Sequence, residues 1–134
     1  MKLTGHVVNP GKAEGEAIVT KTPFSFLGEL DPTTGRVPSP SHELSGQSLR
    51  DKILVFPTGK GSTVGPIIAW YSMKAGNNPK AMICIEAEPI IASVAITVDM
   101  PMVHKLDKNP LEVIESGDYL KVDAVAGTVE IVGK

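Results

Sequence analysis

Apolar residues follow two periods along this chain, and the two separate strands from helices. In Tyr119-Leu120-Lys121-Val122-Asp123 and Thr128-Val129-Glu130-Ile131-Val132 they fall at every second position, the signature of half-buried strands. The linker Ala124-Val125-Ala126-Gly127 makes these two a closing hairpin. Lys52-Ile53-Leu54-Val55-Phe56 and Ala81-Met82-Ile83-Cys84-Ile85 are unbroken apolar runs, which suit strands buried on both faces. Val7-Val8 and the stretch 15–20 flank Asn9-Pro10-Gly11, predicting two short strands around a turn. Over residues 63–75 the apolar positions Val64, Ile67, Ile68 and Tyr71 take helical spacing. Pro66 fits the first turn of that helix, and Gly76-Asn77-Asn78-Pro79 stops it.

The remaining segments are less regular. Residues 89–95 predict a short helix, Ile96-Thr97-Val98 a third strand, and residues 99–103 a strand end or extended loop. Residues 109–114 predict one helical turn. Residues 22–31 resist a regular assignment and predict an ordered loop, followed by a tight turn feeding a short strand at Arg36-Val37. The Pro/Ser-rich segment 38–45 predicts a surface loop. Hairpins at the ends with βαβ units between them predict an α/β, barrel-like domain spanning residues 1–134 as one unit.

Composition narrows the function classes. A net charge of −2 gives no basic excess for nucleic acid or an anionic membrane. Aromatic residues are only 4% of the chain, so base-stacking platforms are not expected. Cys84 is the one cysteine, which excludes an internal disulfide and a multi-cysteine metal site; its apolar neighbours predict a buried thiol. No leader-like start and no apolar stretch of about 20 residues is visible. The expectation is a cytoplasmic protein without a membrane span.

Candidate chemistry concentrates in Pro57-Thr58-Gly59-Lys60-Gly61-Ser62-Thr63, a glycine-rich loop between a predicted strand and a predicted helix. Glycines let a backbone approach a ligand closely, and a helix start offers unpaired N–H groups and partial positive charge. Lys60 could steady a carboxylate or phosphate there, and Ser62 could face a substrate. A nucleotide-binding phosphate loop is excluded by spacing: the nearest earlier glycine is Gly46, and Gly61 separates Lys60 from Ser62. From these residues alone, Ser62 divides evenly between two roles, helix cap and reactive hydroxyl. A serine acts as a base only when its alkoxide is stabilised by oriented N–H groups or a cation.

Other polar residues carry less. His6, His42 and His104 lack ligand spacing and are expected at the surface. Glu29 and Asp31 could form a polar cluster near Ser25, although Asp before Pro equally starts a turn. Glu86 and Glu88 could share one face at a strand end, where paired carboxylates are usually solvated.

Several stretches carry a resemblance over nearly the whole chain. They are residues 11–17, Pro23-Phe24-Ser25-Phe26-Leu27-Gly28, Asp31-Pro32-Thr33-Thr34-Gly35, residues 56–63, Asn78-Pro79-Lys80-Ala81 and Gly117-Asp118. Together they resemble the small subunit of two-subunit aconitase X proteins, and the Gly-Lys-Gly-Ser-Thr loop is the most specific part. The chain departs from that pattern at Leu27 and Glu29, where many relatives are glycine-rich. The resemblance implies a swivelling β/β/α barrel-like domain that docks on a separate large subunit as a heterodimer. It implies a hydro-lyase that is inactive without that subunit, with a [4Fe-4S] cluster on the large subunit and no cofactor or metal on this chain. It implies dehydration of (R)-5-phosphomevalonate, a phosphorylated hydroxy acid, to trans-anhydromevalonate 5-phosphate in an archaeal mevalonate route to isoprenoids. Ser62 maps onto the proton acceptor. Gly59, Lys60, Gly61 and Thr63 are candidate substrate contacts beside it, with Ser25 a further candidate. A hydroxyproline-type dehydratase of the same family is an alternative, disfavoured by Thr63 where those proteins often carry cysteine. A non-catalytic module that binds phosphate or a partner is a second alternative.

Overall fold

A computed structural model describes all 134 residues. Its centre is a pair of parallel strands, β4 (Ile53–Phe56) and β5 (Ala81–Cys84), buried along their whole length. Because side chains alternate across a strand, these two supply two separate cores. Ile53, Val55, Ala81 and Ile83 join Leu3, Leu120, Val122, Val129 and Ile131 on one side. Leu54, Phe56, Met82 and Cys84 meet the helices α2 (Gly65–Lys74) and α3 (Pro89–Thr97) on the other, through Ala69, Ile91 and Val94. Polarity cannot set the register of such strands, since both faces are apolar. Shape can. The inner side takes small or β-branched residues, and the helix side takes the longer or aromatic Leu54, Phe56 and Met82 with the small Cys84 at its end. Each fully buried large aliphatic side chain contributes roughly 1.5–3 kcal/mol, so a one-residue slip that exchanged the two sets would misfit both cores at once.

The eight strands follow the order β1-β8-β7-β3-β4-β5-β6-β2. The outermost two, β1 (Lys2–Thr4) and β2 (His6–Asn9), are separated in sequence by Gly5 alone. The first pairs antiparallel with β8 (Thr128–Ile131) and the second antiparallel with β6 (Met102–His104). One N-terminal ribbon therefore joins both ends of the sheet and closes it into a barrel. Gly5 is required at the crossover: a Cβ there would lie 2.5 Å from the His104 carbonyl oxygen, while its own N–H donates to Gly127. Opposite this seam, β3 (Lys12–Val19) changes partner along its length. Residues 12–16 pair antiparallel with β7 (Tyr119–Asp123), and residues 17–19 pair parallel with β4. Barrel and helical layer together are the β/β/α arrangement.

Three local stretches differ from the sequence expectations. Ile96-Thr97-Val98 is not a strand: α3 continues through Thr97, because Val94 and Ala95 pack in the helix-side core. The helix ends where Asp99 turns left-handed at φ 52° and the Met100 N–H reaches back to Ala95. The strand expected there lies at β6. Arg36 makes a single bridge to Ser48, not a strand, and residues 22–31 hold a short kinked turn, α1 (Phe26–Glu29), whose backbone leaves helical geometry at Leu27 and Gly28. The helical turn expected at residues 109–114 forms as α4 (Pro110–Val113), starting at Asn109, whose side chain accepts the Leu111 N–H. The β7–β8 hairpin forms as the alternation predicts, its turn fastened by Val125 and Ala126 N–H groups donating to Asp123. No helix is long and apolar enough to cross a membrane.

Candidate functional site

Parallel strands bring their C-terminal ends to one side of a sheet, the side where α/β domains hold ligands. Here β4 delivers loop 57–64, and β5 delivers residues 85–88 ahead of α3. The Pro57 carbonyl ties the two exits by accepting from Ile85 and Glu86. On the far side the loop is clamped by Phe24, whose N–H donates to Thr58 and whose carbonyl accepts from Lys60. Phe24 is itself fixed in the core, 5.5 Å from Phe26 edge-on and 6.0 Å from Phe56.

The two loop glycines answer different demands. A Cβ on Gly59 would sit 2.2 Å from Glu88 Oε1 and 2.8 Å from Ile91, so Gly59 is a packing requirement. Glu88 is not a solvated carboxylate. It caps α3, accepting the Ile90 and Ile91 N–H groups. Its neighbour Glu86 pairs instead with Lys105 at the surface. Gly61 has open space around it but a φ of 89°, which side-chain-bearing residues rarely adopt.

Ser62 follows at φ 75°, also left-handed. A non-glycine residue held there costs on the order of 1–3 kcal/mol, the kind of strain that surrounding structure must hold in place. Ser62 is not the cap of α2: that position is Val64, which offers no side-chain bond. The Ser62 hydroxyl accepts one long bond, 3.4 Å, from the Val64 N–H, and its carbonyl accepts from Gly65. Its oxygen thus lies beside the N-cap amide of α2, at the positive end of the helix, where a developing negative charge is favoured. Thr63 beside it is exposed.

Beneath the loop lies a buried carboxylate. Glu29 Oε1 accepts the Ser25 N–H at 2.7 Å, and Oε2 accepts from Lys60 Nζ at 2.7 Å. Ser25 in turn donates its hydroxyl to the Gly61 carbonyl and accepts the Leu27 N–H. Lys60 is therefore ion-paired, and Ser25 is buried and committed. Asp31 stands apart and fastens its own turn through Thr33, whose N–H and hydroxyl hold its carboxyl below the usual carboxylate range.

His42 corrects the surface expectation. Its side chain is only 3% exposed. Nδ1 accepts the Leu44 N–H, which places the ring hydrogen on Nε2. Nε2 faces Glu29 Oε2 at 3.6 Å and has no closer partner. No signal in the local sequence brings His42 to Glu29, because 12 residues of irregular loop separate them. For Glu88 a signal exists: it immediately precedes Pro89 at a helix start, where a carboxylate suits the free amides. His104 is half-buried, with Nδ1 accepting the Ala87 N–H, while His6 is at the surface as expected.

The face around Ser62 is open and apolar. Leu27, Val64, Ile67, Trp70 and Tyr71 are each more than 40% exposed. The two surface cavities of the chain lie elsewhere, one of about 420 Å³ beside Lys12 and Lys121 and one of about 490 Å³ beside Arg36 and Lys52. No three His, Cys, Asp or Glu side chains gather into a group that could hold a metal. Cys84 is buried in the helix-side core, and burial pushes its thiol up to about 12. The residues present therefore do not fit an iron–sulfur cluster, which requires several accessible thiolates.

Comparison with known proteins agrees with this architecture. The model of the aconitase X swivel domain matches residues 2–131. The phosphomevalonate dehydratase small subunit of Methanococcoides burtonii is 45% identical over 134 residues, covering 100% of this chain and 98% of that protein. Its counterpart in Thermococcus kodakarensis is 49% identical over 131 residues, covering 98% and 96%. The crystal structure of Thermococcus kodakaraensis aconitase X in its holo-form superposes with a TM-score of 0.92 at 47% identity, over 98% of both chains. The 3-isopropylmalate dehydratase of Methanocaldococcus jannaschii shares the fold, with a TM-score of 0.62 at 16% identity over 90% of this chain and 81% of that one. The chain belongs to the aconitase X swivel domain family.

Proposed function

From that membership we propose that this chain is the small subunit of a phosphomevalonate dehydratase and supplies its proton acceptor, Ser62. The observation that carries the reading is the Gly61–Ser62 turn. It holds a serine hydroxyl, under strain, beside the N-cap amide of α2. Dehydration of (R)-5-phosphomevalonate removes a proton from the carbon beside the carboxylate and the hydroxyl from the next carbon. Ser62 Oγ, as the alkoxide, takes that carbon-bound proton, and the electron pair left behind forms the double bond as the hydroxyl departs as hydroxide. The hydroxide then takes up a proton to become water, and loss of a proton from Ser62 restores the alkoxide. The Val64 N–H, the one amide on the Ser62 oxygen, stabilises that charged form. The Gly61 backbone and Thr63 face the substrate. Gly59, Lys60 and Ser25 hold the loop in shape.

A larger subunit completes the site. The naming of the relatives as small subunits supports a larger partner. The exposed Leu27, Val64, Ile67 and Trp70 around Ser62 suit a surface that the partner covers. Cys84 alone cannot hold an iron–sulfur cluster, so the cluster that the family resemblance implies would sit on the partner and would act there as Lewis acid toward the leaving hydroxyl. This chain's share is the proton.

The test is co-expression with the larger subunit under anaerobic conditions, followed by assay on phosphomevalonate. The expected result is a co-purifying pair that forms the anhydro product, with Ile67→Asp abolishing co-purification while the domain stays folded. A pair that dehydrates hydroxyproline instead, or a chain that binds phosphate and catalyses nothing, would overturn the reading.

A further inference from the structure

We infer that Glu29 is a positioning residue for Ser62, acting through Lys60 and Ser25. The inference rests on the reading of Ser62 as the proton acceptor. A carboxylate at 7% exposure is costly unless it is paired and hydrogen-bonded. Glu29 has both kinds of partner, and both lead to the serine loop. Its Oε2 holds the Lys60 ammonium one residue before Gly61. Its Oε1 holds the Ser25 N–H, and the Ser25 hydroxyl holds the Gly61 carbonyl. Lys60, which leads into the left-handed pair Gly61-Ser62, and Gly61 itself are thereby tied to one buried group on α1. His42 Nε2 lies 3.6 Å from Oε2, beyond hydrogen-bond distance, and has no other partner.

This assigns Lys60 a different task from the anion anchor its place in the loop suggests. About half of the Lys60 side chain is exposed, but the ammonium is aimed inward at Glu29. Charge-assisted bonds of this length are about twice as strong as neutral ones. They oppose relaxation of Ser62 out of its strained conformation. Catalysis responds steeply to such placement, a shift of ~1 Å costing on the order of 10²-fold.

The experiment compares wild type with Glu29→Gln, Lys60→Met and the double variant, by two readouts. The first is acetylation of Lys60 in the full chain, followed by mass spectrometry with Lys121 as internal reference. The second is steady-state dehydration of phosphomevalonate by the complex with the larger subunit. Glu29→Gln is expected to raise Lys60 labelling several-fold and to lower kcat by roughly 10–100-fold with KM little changed. Lys60→Met is expected to lower kcat similarly, and the double variant to cost far less than the product of the two. Unchanged labelling and unchanged kcat in Glu29→Gln would overturn the inference. So would a loss that appears wholly in KM, which would make Glu29 or Lys60 a substrate contact. If the wild-type complex does not dehydrate phosphomevalonate, the functional reading fails, and Lys60 labelling decides by itself whether Glu29 holds the loop.

Discussion

Inside the barrel, Ile53, Val55, Ala81 and Ile83 need only be apolar, compact and of the right parity. At the serine loop, which directly follows β4, each position answers to a separate demand. Gly59 lacks room for a Cβ, Gly61 and Ser62 need left-handed backbone, and Lys60 needs a buried partner. The interior follows one repeating rule, whereas the loop is a set of exceptions held in place by its neighbours. Stability and function are therefore separable in this chain, since substitutions can remove one and leave the other.

The largest effect expected is at Ser62. Ser62→Ala keeps the Cβ, so the strain at φ 75° is unchanged and only the hydroxyl is lost. Turnover by the complex should fall by roughly 10²–10⁴-fold, with the same thermal midpoint as wild type by calorimetry. Wild-type turnover would end the claim that the loop carries the proton. The complementary change is Ile83→Ala, which empties part of the barrel interior. Chemical denaturation should show a loss of about 2–5 kcal/mol, with kcat retained by the protein that remains folded. A large kcat defect there would erase the distinction between the two regions.

Gly59→Ala should fall between them, because Gly59 belongs to the loop and also packs on Ile91 of the helix-side core. Its new methyl would press on Glu88 Oε1 and Ile91. A cost of about 1–3 kcal/mol is typical of such overpacking, and turnover should drop with it as the loop shifts. Denaturation and kinetics on one preparation measure both. The smallest effect concerns His104, lowered from its ordinary value chiefly by burial and secondarily by Lys105. A histidine with a lowered folded value binds fewer protons folded than unfolded, so stability rises with pH across that window. The contribution is complete above the unfolded value of about 6.5 and is lost as pH falls through the folded one. His104→Gln should flatten the fall in thermal midpoint on acidification, and an unaltered slope would assign that fall to other groups.

Periodic features were legible in the sequence because they repeat. The two-sided burial of β4 and β5, the β7–β8 hairpin and the strand–loop–helix around Ser62 all appear in the spacing of apolar residues. Ile96-Thr97-Val98 misled because its β-branched residues favour strands locally, whereas packing of Val94 and Ala95 carried the helix onward. Residues 22–31 were opaque for another reason. Phe24 pairs with Gly59 and Glu29 with Lys60, and neither partnership leaves a mark within ten residues of chain. His42 illustrates the same limit: its burial depends on a carboxylate from a different segment. The site's serine could be found from its loop, but the residues that hold the loop could not.

The crossover at Gly5 also bears on the order in which the protein folds. Leu3 finds its partner Val129, and Val7 finds Val103, only after most of the chain exists. During synthesis the first strand must wait, unpaired, for the last, and such distant pairings slow folding. Barrel closure is then a late, cooperative event rather than a starting scaffold. The parallel strands and their helices can assemble earlier, so the serine end can take shape before the ring around the other core is sealed.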